Sequence, residues 1–322
     1  MRIAVPMTVL ATALACLLAS APAHARARTF VASYGNDANP CTFGSPCKTF
    51  QVAVNAVDAG GEVTAIDSAG FGPIKITKAV TITSPDGVEA GIIPDPITVT
   101  AITINAGSSD TITLRGLTIS TAVGGQLGVN FMSGAALHVE NSVFRNLGEA
   151  LAFSPNTASD LYVSDTAFTD NDDSIIIQPA VSGEFTSVLN HIRIENSQTA
   201  GVSISDSNMS SGALGVTISD STIARTATIG VAVGGEKVFA VVTILNSRIV
   251  NGCDYPCSKF PSSVGVEAFG QFATILLNGS AILQNATGWT GFAGGHVLSY
   301  GNNQIDFNPS GGDTAPPSVP LK

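Results

Sequence analysis

The chain has 322 residues, of which 44% are hydrophobic and only 12% charged, so it is too apolar to be intrinsically disordered. Its formal net charge of −10 provides no attraction for nucleic acid or an anionic membrane, and we predict neither as a partner. The 33 glycines, together with many Ser, Thr and Asn residues, interrupt any long helical pattern.

The first 25 residues are typical of a secretory signal peptide. Arg2 is followed by an apolar run from Val9 to Ala19 that is too short to span a bilayer, and "APAHA" predicts cleavage after Ala25. Cys16 in "ALAC" leaves lipidation open as an alternative. No later segment reaches the roughly 18 apolar residues of a membrane helix. We therefore predict export to the periplasm or the cell exterior, without a membrane span.

Four further cysteines form two close pairs, Cys41 with Cys47 and Cys253 with Cys257. In an oxidising compartment each pair is expected to form a local disulfide that braces a turn. The alternative is a zinc site built from all four thiolates. Neither pair has the C-x-x-C spacing of such a site, so the sequence favours disulfides and predicts no metal here.

A short alternating pattern that ends in Asn or Asp recurs along the chain, as in "LHVEN", "LYVSD", "VTISD" and "VTILN". Its intervals of 24 to 32 residues indicate a solenoid. Asn and Asp tolerate the left-handed backbone of a sharp corner, so these residues are predicted to turn the chain and to stack coil upon coil. The predicted corner residues are Asn141, Asp165, Asn196, Asp220, Asn246 and Asn278, preceded by Gly116.

A second series of short apolar strands runs between these corners, beginning at Gly128, Ala150, Ser174, Gly201, Gly230 and Gly265. Each coil then contains three short strands rich in Val, Ile and Thr, with no helix of the kind found in leucine-rich repeats. The pattern predicts a single all-β domain, a parallel β-helix in which each strand pairs with its counterpart about 4.8 Å away along the axis.

Three stretches resemble a known family. They are "GNDANPCTFGSPCKTFQVAVNAVDAGGEV" from Gly35, "GFGPIKITKAVTI" from Gly70 and "GGHVLSYGNNQI" from Gly294. They are similar to the right-handed parallel β-helix proteins of the pectin-lyase-like superfamily, especially small secreted bacterial members of unassigned function. The resemblance implies a right-handed coil closed at its N-terminal end by a short helix. Thr49 would cap this helix, which would bury Phe50, Ala53, Ala56 and Val57.

The predicted organisation has four parts. Residues 1–25 form the signal peptide and residues 26–58 a lead-in segment with the capping helix. Residues 59–307 form the β-helix, and the Pro-, Ser- and Gly-rich residues 308–322 form a flexible tail.

Superfamily enzymes act on acidic polysaccharides that lie along the sheet formed by the second series. In "GVSIS", Val202 and Ile204 are predicted to point inward and Ser203 outward. The corresponding outward residues are Asn130, Ala152, Ile176, Ser203, Ala232 and Glu267. This row has no carboxylate pair for glycoside hydrolysis and no basic residue for a lyase reaction, which counts against an enzyme.

The acids Asp170, Asp172 and Asp173 in "TDNDDSI" are the weak catalytic candidates. They resemble the paired acids of polygalacturonases, but the accompanying segments of that family are absent. A solvated acidic turn is the simpler interpretation, and a weak calcium site is the alternative. No other cofactor is predicted.

Two groups of residues are candidates for binding. His138, Tyr162 and Arg193 are predicted on consecutive coils of another sheet, where they could meet one ligand. The insertion "NGCDYPCSKFPSS" could hold a sugar or a protein through aromatic rings and a charge. Its candidate residues are Tyr255, Lys259 and Phe260.

The sequence thus favours an exported β-helical surface protein that binds a polysaccharide or another protein through its loops. A polysaccharide lyase or glycoside hydrolase that acts on acidic polysaccharide is the alternative. A trimeric fibre is a third possibility, against which the signal peptide argues.

Overall fold

The protein is a parallel β-helix, as predicted. The computed structural model describes residues 26–253 and 257–319, so the predicted signal peptide and Tyr255 lie outside the described residues. The chain passes repeatedly from a first sheet to a second and then to a third, and each strand pairs in parallel with its counterparts in the neighbouring coils.

The strands are numbered in chain order. The first sheet contains eleven strands: β1 (Arg28–Val31), β2 (Gly61–Ala65), β5 (Val80–Thr83), β8 (Thr111–Arg115), β11 (Ala136–Glu140), β14 (Asp160–Ser164), β17 (Gly183–Asn190), β20 (Gly212–Ser219), β23 (Phe239–Leu245), β26 (Ala273–Asn278) and β29 (His296–Ser299). The second sheet contains ten: β3 (Ala69–Gly70), β6 (Ala90–Ile92), β9 (Leu117–Ser120), β12 (Val143–Arg145), β15 (Ala167–Thr169), β18 (Arg193–Glu195), β21 (Thr222–Ala224), β24 (Arg248–Val250), β27 (Ala281–Leu283) and β30 (Gln304–Asp306). The third sheet contains nine: β4 (Ile74–Ile76), β7 (Thr100–Asn105), β10 (Leu127–Ser133), β13 (Glu149–Phe153), β16 (Asp173–Ile177), β19 (Ala200–Ser205), β22 (Ile229–Gly234), β25 (Val264–Phe269) and β28 (Thr287–Phe292).

One short helix, α1 (Phe50–Ala56), closes the N-terminal end of the core. The Thr49 hydroxyl accepts a hydrogen bond from the Val52 amide, as expected of an N-cap. Phe50 and Ala53 are buried in the core, as predicted from the resemblance. The lead-in segment also contains a strand that was not predicted, β1, which pairs with β2 of the β-helix.

The core is a column of apolar side chains that repeats from coil to coil. Alternate residues of each strand point inward, and matching positions on adjacent coils stack directly. The rings of Phe131 and Phe153 lie 4.9 Å apart, and those of Phe144 and Phe168 lie 4.8 Å apart. Stacking of like residues therefore fixes the register between coils.

The first corner, between the first and second sheets, is built mainly as predicted. Its residues adopt the left-handed backbone that Asn and Asp tolerate, with φ between 46° and 51°. The four predicted residues found there are Asn141, Asp165, Asp220 and Asn246.

Two predicted corner residues were wrong. Asn196 has a φ of 59° but lies at the second corner, between the second and third sheets. The first corner of its coil is His191, with a φ of 50°, so a histidine stands where the neighbouring coils have Asp165 and Asp220. At the last of the predicted corners, Gly279 takes the left-handed position with a φ of 60°, directly after Asn278. The sequence pattern alone did not separate one corner from the other.

The left-handed backbone at His191 leads to a stability prediction. This backbone conformation is unfavourable for residues that have a Cβ. It is less unfavourable for Asn, because its short polar side chain forms local hydrogen bonds. We expect His191→Asn to raise the free energy of unfolding by about 0.5–1 kcal/mol. Urea denaturation of the variant measures this, and a lower midpoint would contradict it.

A ladder of buried hydroxyls runs behind the first corner. The Ser247 hydroxyl accepts the Ser221 amide at 3.1 Å, and the Ser280 hydroxyl accepts the Ser247 amide at 3.2 Å. Each hydroxyl also donates to the carbonyl two residues earlier, at 2.7 Å for Ser247 with Leu245. The hydroxyls of this ladder belong to Ser142, Thr166, Ser221, Ser247 and Ser280. They satisfy corner amides that would otherwise be buried without a partner.

Buried asparagines serve the second corner in the same way. Asn171 accepts the Leu147 amide at 3.0 Å, and Asn285 accepts the Gly252 amide at 3.2 Å. Asn308 in turn accepts the Asn285 amide at 3.0 Å. Among the described residues, every buried side-chain nitrogen and oxygen has a hydrogen-bond partner.

Both cysteine pairs form disulfides, Cys41 with Cys47 and Cys253 with Cys257. The segment expected to be a flexible tail is described as far as residue 319. It crosses the last coil, where the Ser299 amide bonds to the Pro317 carbonyl at 2.9 Å.

Candidate functional site: a groove at the second corner

The outward row of the third sheet has the predicted register. Ala152 pairs with Asn130 and Ile176, and Ala232 pairs with Ser203 and Glu267. The row continues through residues Thr103 and Lys75 towards the N-terminal end. Burial raises the pKa of the Glu267 carboxyl.

The predicted surface row on the first sheet is only partly present. His138 and Tyr162 are register partners, and their rings stack with centroids 4.7 Å apart. Arg193 does not follow them, because the partner of Tyr162 on the next coil is Val188. Arg193 lies beyond the first corner, in the second sheet, where it pairs with Ala167. The prediction that these three residues share one row was therefore wrong, for the same reason as the misplaced corner in that coil.

A groove with a volume of about 780 Å³ follows the second corner through the C-terminal half of the protein. We call it the corner groove. Corner residues of successive coils form its floor, and the insertion after β24 forms its wall. Its lining residues are Asn196, Ser197, Gln198, Arg225, Ala227, Asn251, Cys253, Lys259, Phe260 and Gln284.

The local fold explains the floor of the groove. Asn196, Arg225, Asn251 and Gln284 occupy the same corner position on successive coils, with φ between 56° and 59°. Because the coils stack at about 4.8 Å, the four polar side chains follow one another at about that spacing. Sequence reasoning missed this row, since Arg and Gln do not match the Asn/Asp pattern. The one available signal was a polar residue shortly after each second-sheet strand.

The wall of the groove is the disulfide-braced insertion. Cys253 and Cys257 are buried with Ala286, and Phe260 packs against this small apolar cluster. The Lys259 ammonium lies 5.2 Å from the centroid of the Phe260 ring, within the range of a cation–π contact. Two of the three residues predicted from this insertion, Lys259 and Phe260, thus line one cavity.

Arg225 is held in a fixed position at the floor. Its Nε donates to Asn196 Oδ1 at 2.7 Å, and its Nη2 donates to Glu195 Oε2 at 3.0 Å. Glu195 also accepts from Arg193 at 2.7 Å. One carboxylate therefore faces two guanidinium groups beside the groove.

The three predicted catalytic acids lie in different surroundings. Asp170 is a second-corner residue that accepts a 2.8 Å hydrogen bond from Asn196 Nδ2. Asp172 is half-buried, and Asp173 begins strand β16. Within the described part of the chain, no three His, Cys, Asp or Glu side chains are grouped so that they could hold a metal ion.

The structure reveals instead a carboxylate pair that the sequence did not show. Asp173 and Glu149 are register partners at the starts of adjacent third-sheet strands. Burial, and then the charge of Asp173, raise the pKa of the Glu149 carboxyl. Burial raises the pKa of Asp173, with a further contribution from Asp172, against the lowering effect of the hydrogen bond from the Ala200 amide. The pair lies close to the corner groove, because the Asp172 carbonyl accepts the Thr199 amide, next to the groove residue Gln198.

The raised pKa values predict how stability depends on pH. The pKa of Asp173 in the folded state is raised above its ordinary value of 3.8. Between the ordinary pKa and the folded-state pKa, the folded protein therefore binds more protons than the unfolded chain. Stability therefore falls as the pH rises through the folded pKa. We expect Asp173→Asn, which keeps an acceptor for Ala200, to stabilise the protein at pH 7 by on the order of 0.5 kcal/mol.

Denaturation at several pH values measures this effect. The gain from Asp173→Asn should shrink as the pH falls towards 3.8 and should vanish below it, where the wild-type carboxyl is protonated in both states. Asp86→Asn, at an exposed turn, is the control and should not show this trend. A gain that is the same at pH 4 and pH 7 would contradict the expectation.

Comparison with known proteins identifies the family. A family model described as "Right handed beta helix region" matches residues 100–308. The chain belongs to this family. A crystal structure of pectate lyase Pel9A is similar with a TM-score of 0.49 and 14% identity, covering 84% of this chain and 67% of that one. The search of curated protein sequences found no match. Among the described residues of this β-helix protein, no helix is long and apolar enough to cross a membrane.

Proposed function

We propose that this protein is an exported binding protein that takes an acidic glycan into the corner groove. One observation carries the proposal: the groove brings together a row of amide side chains, two cationic side chains and an aromatic ring, in a volume of about 780 Å³. That volume lies within the range of about 300–1,000 Å³ that is usual for ligand sites.

Each part of the groove suits one part of a sugar polymer. The amides of Asn196, Asn251 and Gln284 offer donors and acceptors for hydroxyl groups, with Arg225 on the coil between Asn196 and Asn251. The Phe260 ring offers an apolar face for the apolar face of a sugar ring. The Arg225 guanidinium, oriented by Glu195, suits a carboxylate of a uronic acid.

Export is proposed from the predicted signal peptide and is supported by the two disulfides, which form and persist in oxidising compartments. In that setting a polysaccharide of a cell wall or cell surface is an accessible partner.

The experiment is calorimetric titration with uronic-acid oligomers and with neutral oligosaccharides of equal length. Tighter binding of the acidic oligomers, which weakens as salt is added, is the expected result, because contacts between exposed charges are screened. Equal affinity for the two classes would show that the cations do not select the ligand. Failure of every oligomer to bind would remove the proposal.

A hydrolase acting on acidic polysaccharide is the second candidate, and the Glu149–Asp173 pair favours it. Two neighbouring carboxyl groups with raised pKa values are the kind of pair from which glycoside hydrolysis draws its acid and its base or nucleophile. Incubation with acidic polysaccharides, with and without calcium, tests this candidate. Reducing ends that disappear in Glu149→Gln would establish it, and unsaturated ends would indicate a lyase.

A further inference from the structure

The two ends of the first sheet are covered in different ways. At the N-terminal end, the free edge of β1 is covered by the loop closed by the Cys41–Cys47 disulfide. The Phe30 amide bonds to the Cys41 carbonyl at 2.9 Å, and the Cys47 amide bonds to the Phe30 carbonyl at 3.0 Å. Both cysteines are at most 1% exposed. This cover is buried and covalently closed.

At the C-terminal end, residues 309–319 cover the last coil. The Ser299 amide of β29 bonds to the Pro317 carbonyl, and the Ser299 carbonyl accepts the Val319 amide, each at 2.9 Å. Trp289 Nε1 bonds to the Thr314 carbonyl at 2.8 Å, and the Gly288 amide bonds to the Gly311 carbonyl at 2.9 Å. The tail thus provides hydrogen-bond partners for backbone groups at the outer edges of the first and third sheets.

The C-terminal cover is held much less firmly than the N-terminal one. Of residues 309–319 only Pro316 is buried, and no disulfide holds the segment. A cavity of about 110 Å³ lies between Asp313 and Ala315 of the tail and Ile305 of the last coil. Removing the tail would expose an open edge of β29 together with the apolar end of the core, including Trp289.

We propose that residues 309–319 are a removable cap, and that a second copy of this chain is the partner that the uncovered end accepts. Two identical β29 edges meet about a twofold axis, so they pair antiparallel. The amide and carbonyl of Ser299 then bond to the partner instead of to the tail. Assembly stops at a dimer, because the Cys41–Cys47 loop still covers the other end of each copy. This inference is independent of the proposed glycan site.

The full-length chain with Gly312→Val and Val319→Pro tests the proposal. A Cβ at Gly312 would lie 2.5 Å from the Trp289 amide nitrogen, and φ there is +76°, so valine displaces the tail. Proline at 319 removes the donor to Ser299. Thr314→Val is the control, since Thr314 is exposed and its carbonyl makes the contact with Trp289. Light scattering after size-exclusion chromatography gives the mass. Hydrogen exchange at the Ser299 amide in the monomer, and at the Trp289 indole in the dimer, reports release of the tail.

The double variant should form dimers at least tenfold more tightly than the wild type and the control. An excess of a peptide with the sequence of residues 309–319 should return it to the monomer, and a scrambled peptide should not. A monomer with a released tail would overturn the proposal, because the edge would then have no affinity for itself. A monomer with a protected Ser299 amide would overturn the removable cap. Aggregates of unlimited size would overturn the twofold dimer.

Discussion

Asn285→Ala should lower the free energy of unfolding by about 3 kcal/mol. The Asn285 side chain is fully buried, and its Nδ2 donates to the Ile249 carbonyl at 3.1 Å. Its Oδ1 accepts the Gly252 amide at 3.2 Å. Alanine leaves that amide buried without a partner and opens a space in the second corner, and each such loss is costly in a dry interior.

Urea denaturation followed by circular dichroism measures the loss. Asn208→Ala is the matched control, because Asn208 is exposed on a turn and its change should stay within about 0.5 kcal/mol. Equal midpoints for the two variants would show that the buried asparagine ladder does not stabilise the coils.

Phe260→Ala and Arg225→Ala should each weaken binding of an acidic oligosaccharide by about tenfold, or about 1.4 kcal/mol. Phe260 contributes the aromatic face of the corner groove, and Arg225 contributes a guanidinium positioned by two hydrogen bonds. Calorimetric titration against the same oligomer compares the variants with the wild type. The loss in Arg225→Ala should be smaller at high salt, and the loss in Phe260→Ala should not change with salt.

Matched controls lie outside the groove. Phe239 is 62% exposed at the start of β23, and Arg145 is an exposed residue of β12. Phe239→Ala and Arg145→Ala should keep the wild-type affinity. If Arg145→Ala weakens binding as much as Arg225→Ala does, the ligand responds to overall charge and the corner groove is not its site.

The fold could be predicted because its determinants repeat. A left-handed corner favours Asn, Asp or Gly in coil after coil, and Asn141, Asp165 and Asp220 show this directly. The alternation of Val, Ile and Thr then fixes which side chains point inward. Family resemblance supplied the N-terminal helix, whose Thr49 cap is present.

The site was harder to predict, because it depends on register rather than on pattern. The segment "RIEN" of the second-sheet strand β18 has the same alternation ending in Asn, so the pattern placed the first corner at Asn196 instead of His191 and Arg193 in the row of Tyr162. The Glu149–Asp173 pair is likewise visible only once adjacent strands are aligned. A row that mixes Asn with Arg and Gln carries no repeat that a sequence reveals.

A crystal structure with a bound uronic-acid oligomer would locate the ligand site. We expect density in the corner groove, with a carboxylate within hydrogen-bond distance of the Arg225 guanidinium and a sugar ring over Phe260. Density along the outward row of the third sheet, from Asn130 to Glu267, with an empty corner groove would contradict it.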